Sequence, residues 1–187
     1  MPRHAIVILI SLLLAGQAAA TTLQRFDLQS LTDSAERVFH GSCIAAEGEL
    51  IDGIPYTAYH FAVAENVKGE GEDQITVRLI GGLRDGRRFD LVGMPSFAPG
   101  EEVVLFLTAP DRRDNPWPVG LSQGKFAVSR GAAKSLVVSQ AASAALLLDG
   151  AGVAGKGVIE AMGPRPLDEF LMEVRNYAGE EGIDERR

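Results

Sequence analysis

Residues 56–67 (YTAYHFAVAENV) decide the fold class of this chain, because their large apolar side chains recur at alternate positions. One face of the stretch carries Tyr59, Phe61, Val63 and Val67, and the other carries His60, Ala62, Ala64 and Asn66. A period of two predicts a half-buried β-strand. Turn chemistry bounds the strand on both sides, with DGIP at 52–55 and KGEGED at 68–73.

The sequence predicts further short strands before and after this stretch. The candidates are residues 38–46, 75–79, 88–92, 103–108, 119–121, 125–128 and 135–139. Residues 94–100 (MPSFAPG) predict a crossover between strands, and the glycine-rich residues 150–163 predict a mobile loop. Short strands separated by regularly spaced turns are typical of an all-β sandwich or barrel rather than of βαβ units.

Apolar residues have the spacing of a helix on both sides of this β-rich region. Asp27 predicts an N-cap, and the residues after it predict a short amphipathic helix across 27–37. Pro166 opens a second helix and Gly179 ends it. The sequence therefore predicts a mainly β fold, a five- to seven-stranded OB-like barrel with one N-terminal and one C-terminal helix packed on it. A single domain occupies residues 21–179, followed by a polar tail at 180–187.

Residues 1–20 (MPRHAIVILISLLLAGQAAA) have the form of a secretory signal, with a basic start, an apolar run and small residues at the end. We expect cleavage after Ala20, a mature chain that begins at Thr21, and a periplasmic or extracellular location. Retention of the segment as a membrane anchor is the alternative. No later apolar stretch of the sequence reaches spanning length, so we expect no membrane span after cleavage.

Charge and cysteine usage narrow the class of partner. The net charge is −7 at neutral pH, and loss of Arg3 with the signal leaves 17 basic and 25 acidic side chains, or −8. Acidic charge spread along the chain argues against nucleic-acid binding, which needs a concentrated basic surface. Cys43 is the only cysteine, so no disulfide forms within the chain, and its apolar neighbours predict a buried, inert thiol.

Residues 120–124 (GLSQG) match the G-x-S-x-G pattern of a serine-hydrolase nucleophile elbow. The elbow requires a strand, a sharp turn and a helix in a large α/β sheet, with the histidine later in the chain. The strand predicted at 125–128 does not fit this order, and His40 and His60 both precede Ser122. A triad in another order stays open, as does a plain bulge or turn built on the two glycines.

Cofactor and metal patterns lack their usual context. Residues 150–155 (GAGVAG) match a dinucleotide-binding pattern, but residues 157–164 add two glycines and a proline where a helix is required. The side chains available for a metal form two loose sets, His40 with His60 on strand candidates, and Asp111 and Asp114 with Asn115 in a loop. Neither set has the ligand number and spacing of a known site. We therefore expect no cofactor and no resident metal.

Two polar loops carry the best candidates for binding. Residues 84–88 (RDGRR) hold the densest basic stretch, and residues 111–118 (DRRDNPWP) hold a tryptophan between two prolines. An aromatic ring on a rigid, exposed loop is a good binding anchor, although the same ring also suits a plug at the end of a barrel. The candidate contact residues are Arg84, Arg87, Arg88, Arg112, Arg113 and Trp117.

The strand predicted at 56–67 carries three aromatic side chains, Tyr56, Tyr59 and Phe61, whose role has two interpretations. They form either a stacking platform for a ligand or part of the core. The negative net charge of the chain favours core packing, since stacking platforms for nucleic acids lie in positively charged grooves.

Three segments together resemble the start of the netrin-like domains, which include the tissue inhibitors of metalloproteinases. The segments are residues 36–46 (ERVFHGSCIAA), 59–69 (YHFAVAENVKG) and 74–79 (QITVRL). The resemblance implies an OB-type barrel with helices packed against it. Inhibitors of this type bind a catalytic zinc through an N-terminal cysteine held by disulfides, and a chain that begins at Thr21 has no residue for that role. Residues 97–107 (FAPGEEVVLFL) and 119–126 (VGLSQGKF) are also similar to small exported bacterial proteins of unassigned function.

The hypothesis from the sequence is an exported, non-enzymatic binding protein whose partner is another exported or envelope protein. Inhibition or regulation of a secreted metalloprotease is the first alternative, and it follows from the resemblance alone. A small serine hydrolase that uses Ser122 with His40 or His60 is the second alternative.

Overall fold

A computed structural model describes residues 26–84, 86–131, 135–140, 143–148, 154–159 and 162–184. Side chains are described for these residues except at 84, 143–148, 154–159 and 180–184. The predicted signal at 1–20, the predicted mature start at Thr21 and residues 150–153 of the glycine-rich pattern lie outside the described residues, as does the end of the polar tail at 185–187.

The described elements place one helix on each side of a β-rich region. In chain order they are α1 (Leu28–Ser34), β1 (Arg37–Ile51), β2 (Ile54–Lys68), β3 (Gln74–Ile80), β4 (Gly82–Arg84), β5 (Arg87–Phe89), β6 (Glu102–Leu107), a 3₁₀ helix (Leu121–Gly124), β7 (Lys125–Arg130), β8 (Leu136–Gln140), β9 (Ser143–Leu148), β10 (Ala154–Ile159), β11 (Arg165–Pro166) and α2 (Leu167–Asp184). The prediction of a mainly β fold with a helix at each end is confirmed.

Seven strands form one antiparallel sheet in the order β11-β8-β7-β6-β1-β2-β3. The strand pairs β4–β5 and β9–β10 are separate hairpins. Among the strands that the structure describes, no pairing closes the large sheet into the predicted barrel.

The longest hairpin of the sheet, β1–β2, turns at Asp52 and Gly53. Their positive φ angles of 52° and 77° are those of a two-residue type I′ turn, whose twist matches that of the flanking strands. A turn lies within the predicted range 52–55, but it is limited to Asp52 and Gly53, because Ile54 and Pro55 already pair with β1. Both strands extend beyond their predicted ends and reach 15 residues each, because the pairing continues up to the turn.

Register shifts in the β1–β2 pairing place Val67 on a different face from the one predicted. The shifts lie between Val38 and Phe39, between His40 and Gly41, and between Cys43 and Ala45. An extra residue in one strand interrupts the alternation of side chains. Val67 accordingly packs into the core under the helices, whereas Tyr59 and Phe61 belong to the core on the other face. The prediction that these three residues share a face is wrong.

The sheet separates two hydrophobic cores. The helix-side core packs α1 and α2 onto the sheet, and its centre is a cluster of three rings with centroids between 4.8 and 6.3 Å apart, Phe106, Phe126 and Phe170. The opposite core is covered by Phe97 of the predicted crossover, whose ring packs edge-on against Tyr59 and Phe61. β6 supplies alternate side chains to both cores and is fully buried from Val103 to Leu107.

Several predicted boundaries are wrong for identifiable reasons. Residues 119–121 form a turn that enters the 3₁₀ helix, because Gly120 and Leu121 have φ angles of 58° and 59°, which no strand allows. Part of the loop predicted at 150–163 is strand β10, which pairs with β9. α2 continues through Gly179, since one glycine costs a helix only about 1 kcal/mol.

Candidate functional site

The β4–β5 hairpin leaves the large sheet through a pair of glycines. Gly81 and Gly82 have φ angles of 132° and 139°, and a Cβ on Gly82 would lie 3.0 Å from Thr57 Oγ1. Gly81 is tied to β2, since its N–H donates to the Pro55 carbonyl and its carbonyl accepts from Thr57 Oγ1, both at 2.9 Å. The hairpin therefore starts from a fixed point on β2, while its two strands pair with each other.

Large apolar side chains are exposed along this hairpin and just after it. Leu83 is 72% exposed, Phe89 52%, Leu91 45% and Val92 51%. We call these four residues the apolar hairpin surface. Single exposed apolar residues are ordinary, but four within ten residues make this segment a candidate for binding. Leu83 lies opposite Arg88 in the hairpin and Phe89 lies opposite Gly82, so the side chains of Leu83 and Phe89 are on opposite faces of the hairpin.

A groove of about 550 Å³ lies between this hairpin and the sheet. Ala46, Gly48 and Thr57 line it from the sheet, and Leu83 and Leu91 line it from the hairpin. The space beside Gly48 is open, since a Cβ built there would meet no atom within 4 Å.

The three arginines predicted as contacts on this hairpin have different surroundings. Arg88 lines the groove, and its Nε donates to both carboxylate oxygens of Asp90, at 2.9 and 2.8 Å. Arg87 is exposed on β5 and pairs across the hairpin with Arg84, whose side chain lies outside the described residues. The predicted basic loop thus contributes one residue, Arg88, to the lining of the groove.

Asp111 organises the second predicted contact loop. Its Oδ1 accepts from the backbone N–H groups of Arg113 (2.8 Å) and Asn115 (3.1 Å), and its Oδ2 accepts from Trp117 Nε1 (3.0 Å). These hydrogen bonds, the one from Trp117 foremost, lower the pKa of the Asp111 carboxyl below its ordinary value. Since N–H donors engage both oxygens, the loop does not support a metal site at Asp111, Asp114 and Asn115. Among the described residues no group of three His, Cys, Asp or Glu side chains is placed to hold a metal.

Trp117 is half-buried and packs against the opposite core, so it is closer to a plug than to a free anchor. Its open edge lines a cavity of about 230 Å³ together with Tyr56 and Arg78. The arginines of this loop, Arg112 and Arg113, are exposed. This cavity and the hairpin groove have no lining residue in common, so the structure does not bring the two predicted contact loops into one site.

Ser122 lies in a local structure that differs from a nucleophile elbow. The 3₁₀ helix Leu121–Gly124 follows a turn and leads directly into strand β7, whereas an elbow leads into an α-helix. The backbone N–H of Ser122 donates to the Gly93 carbonyl at 3.1 Å, which anchors the turn. The local geometry gives the hydrolase alternative no support.

The two histidines of the strands do not face each other. His40 lies opposite Glu65 in the β1–β2 ladder, whereas His60 lies opposite Ala45. The His40 ring is bonded to Glu102 at 2.7 Å and the His60 ring to Thr76 at 2.9 Å, so each imidazole has its own polar partner. This arrangement does not support a shared metal.

The thiol and the aromatic side chains of β1 and β2 belong to the interior. Cys43 is fully buried in the opposite core, and burial, with Glu101 nearby, raises the pKa of its thiol. The prediction of a buried thiol is confirmed. Tyr56, Tyr59 and Phe61 are buried too, as core packing predicts, and burial raises the pKa of Tyr59.

Sequence reasoning missed the apolar hairpin surface. Residues 88–92 (RFDLV) have the alternation of a half-buried strand, and this pattern predicted a strand instead of exposed apolar side chains. The available signal was the glycines at 81, 82, 86 and 93, which divide residues 81–93 into segments typical of a short hairpin with tight turns. The hydrogen bonds of Asn115 had no signal in the sequence, because they join segments 37 residues apart.

No helix among the residues that the structure describes is long and apolar enough to cross a membrane. No family model matches the chain, and no curated protein matches it. A function for this chain is therefore inferred from its fold and from the geometry of its side chains.

Proposed function

We propose that this chain is an exported, non-enzymatic binding protein, and that its partner docks on the apolar hairpin surface and in the adjoining groove. The partner is another exported or envelope protein. One observation carries the proposal, the exposure of Leu83, Phe89, Leu91 and Val92 within ten residues beside a groove of about 550 Å³.

The chemistry of this surface favours a protein partner. Interface centres are enriched in aromatic and arginine side chains, and Phe89 stands next to Arg87 and Arg88. Burial of apolar surface contributes roughly 25 cal/mol per Å², so covering these side chains favours association. The arginines make this hairpin locally basic on an acidic chain, which favours a partner segment with an apolar centre and an acidic rim.

A netrin-like, OB-type fold and export complete the proposal. The order of a helix, antiparallel strands and a second helix supports the fold, and the three segments that resemble netrin-like domains fall mainly on β1, β2 and β3. The basic start and apolar run of residues 1–20 support export.

Site-specific photo-crosslinking tests the proposed surface. A photoreactive phenylalanine analogue replaces Phe89 in the full chain, expressed in the cells from which the chain comes. The matched control carries the same analogue at Met172 on α2, which is 57% exposed and belongs to neither core. We expect one product of defined mass from position 89, none from position 172, and loss of that product when Leu83→Asp is added.

The products decide between the outcomes. Identical products from both positions, or no product from position 89, would overturn the proposed surface. A product that contains a secreted metalloprotease would select the inhibitory role, and titration of that protease with the protein then measures inhibition directly.

A further inference from the structure

A cavity of about 230 Å³ lies where the β1–β2 hairpin, β3 and the loop that follows β6 meet. Ile51 and Tyr56 line it from the hairpin, Arg78 lines it from β3, and Arg113 and Trp117 line it from the loop. Pockets for drug-sized ligands measure roughly 300–1,000 Å³, so this cavity suits a smaller molecule.

Hydrogen bonds hold the walls of this cavity in place. The side chain of Asn115 joins the loop to β3, since its Oδ1 accepts from the Arg78 N–H and its Nδ2 donates to the Arg78 C=O, both at 2.9 Å. Asp111 Oδ2 fixes the indole of Trp117 by accepting from its Nε1 at 3.0 Å. The cavity is therefore preformed, as most small-molecule sites are.

Part of the cavity wall is apolar. Ile51 and Tyr56 supply this part from the hairpin, and Trp117 supplies it from the loop. Aromatic rings pack edge-on or offset against other rings, and aliphatic groups pack against both kinds of side chain. An aromatic or branched aliphatic body of about the size of one ring therefore suits the wall and the volume.

The arginines of the cavity have hydrogen-bond donors to spare. Arg78 donates through Nε to Glu49 Oε2 at 3.1 Å, and no described residue accepts from its two Nη groups. Arg113 donates through one Nη to Asp52 at 2.9 Å, and this ion pair is exposed, so it contributes little to stability. The oxygens of Asp111, in contrast, both accept from N–H groups already. A ligand of this cavity therefore has to supply acceptors.

The charged side chains that line the cavity favour an anion as the acceptor. Arg78 and Arg113 contribute two positive charges, and Asp111 contributes one negative charge. Glu49 and Asp52 each engage a single guanidinium nitrogen, which leaves the other nitrogens for a ligand. A planar carboxylate accepts two parallel hydrogen bonds from a guanidinium, and such bidentate pairs are stronger than neutral hydrogen bonds.

We propose that this cavity binds a small carboxylate with an aromatic or branched aliphatic body. The carboxylate accepts from the Nη groups of Arg78, and the body packs between Tyr56 and Trp117. The site is separate from the apolar hairpin surface and does not depend on the proposed function. The same chemistry is offered by a free carboxylic acid and by the C-terminus of a peptide that ends in an apolar residue.

The fluorescence of Trp117, the only tryptophan of the chain, follows binding to the purified protein, and calorimetric titration gives the affinity independently. Phenylacetate is expected to change the emission in a saturable manner. Phenylacetamide has the same body without the charge, and we expect it to bind more weakly by about tenfold or more, because hydrogen bonds between charged groups are the stronger ones.

Arg78→Gln and Arg112→Gln form the matched pair of variants. Both remove one positive charge, but Arg112 is exposed and does not line the cavity. We expect Arg78→Gln to weaken the binding of phenylacetate by about tenfold or more and Arg112→Gln to leave it unchanged. Arg78→Lys keeps the test decisive if the glutamine variant fails to fold, since lysine keeps the charge beside Glu49 and loses the planar pair of donors. Weaker binding than that of the natural chain is expected from it.

Two peptides distinguish the sources of the carboxylate. Acetylated glycyl-glycyl-phenylalanine with a free C-terminus is compared with its C-terminal amide. Tighter binding of the free peptide than of phenylacetate would assign the site to a chain end, and weaker binding would assign it to a free acid.

Three results would overturn the proposal. The first is the absence of saturable binding by phenylacetate, by the branched acid 3-methylbutanoate and by the free peptide. The second is equal affinity for phenylacetate and phenylacetamide. The third is a folded Arg78 variant that binds phenylacetate as tightly as Arg112→Gln does.

Discussion

The indole N–H of Trp117 donates a 3.0 Å hydrogen bond to Asp111 Oδ2, six residues earlier in the loop that follows β6. The other oxygen of this carboxylate accepts from the backbone of Arg113 and Asn115. One ionised side chain thus fixes the loop that carries Asn115 to the edge of β3. Since Trp117 is the only tryptophan of the chain, its fluorescence reports on this contact.

Asp111→Asn removes the charge at this point and keeps the size of the side chain. We expect a lower Tm at neutral pH and a red shift in the emission of Trp117, because hydrogen bonds to a charged acceptor are stronger than those to a neutral one. Thermal unfolding followed by fluorescence measures both effects.

The effect of this substitution depends on pH in a defined direction. The folded state lowers the pKa of Asp111, so its stabilisation is fully present above the unfolded-state pKa of about 3.9 and is lost as the pH falls through the lower folded-state pKa. The Tm difference between the natural chain and Asp111→Asn should therefore shrink in acid. A difference that does not begin to shrink as the pH falls below about 3.9, the unfolded-state value, would contradict this role.

Phe170→Ala and Phe89→Ala form a matched pair that compares the core with the proposed binding surface. Phe170 is fully buried between the rings of Phe106 and Phe126, so its truncation should lower the free energy of unfolding by about 3–5 kcal/mol. Phe89 is 52% exposed, so its truncation should change stability by no more than about 0.5 kcal/mol. Urea denaturation gives both values, and a large loss with Phe89→Ala would show that this ring serves the fold rather than a partner.

The elements that the sequence predicts correctly are those controlled by local chemistry. Asp27 accepts from the Ser30 N–H at the start of α1, and Asp52 with Gly53 forms the tight turn, so a few adjacent residues determine each feature. The side of the sheet on which Val67 packs depends on register shifts relative to β1, which lies far away in sequence. The hydrogen bonds between Asn115 and Arg78 depend on the tertiary fold, which brings a loop after β6 to the edge of β3.

Cys43 should resist modification in the folded protein. It is fully buried, and burial raises the pKa of its thiol, so the reactive thiolate is scarcer and less accessible than in the unfolded chain. We expect slow reaction with a disulfide reagent at neutral pH in the native state and rapid, stoichiometric reaction in denaturant. Equal rates in the two conditions would place the thiol at the surface.

Gly124→Ala should destabilise the turn between β6 and β7 far more than the same substitution at a glycine with open space around it. A Cβ at Gly124 would lie 2.5 Å from the Val119 carbonyl oxygen and 3.1 Å from that of Phe106. Both contacts are with backbone beside the fully buried β6, so the neighbours have little freedom to move. Overpacking of this kind costs about 1–3 kcal/mol, which urea denaturation measures directly.

Gly48→Ala is the matched control for that experiment. A Cβ at Gly48 would meet no atom within 4 Å, and alanine is favoured over glycine inside a strand by roughly 0.5–1 kcal/mol. We therefore expect unchanged or slightly higher stability from the same chemical change. If both variants lost equal stability, the close approach of Gly124 to β6 would not be the cause, and the 3₁₀ turn that carries Ser122 would have room for a side chain at this position.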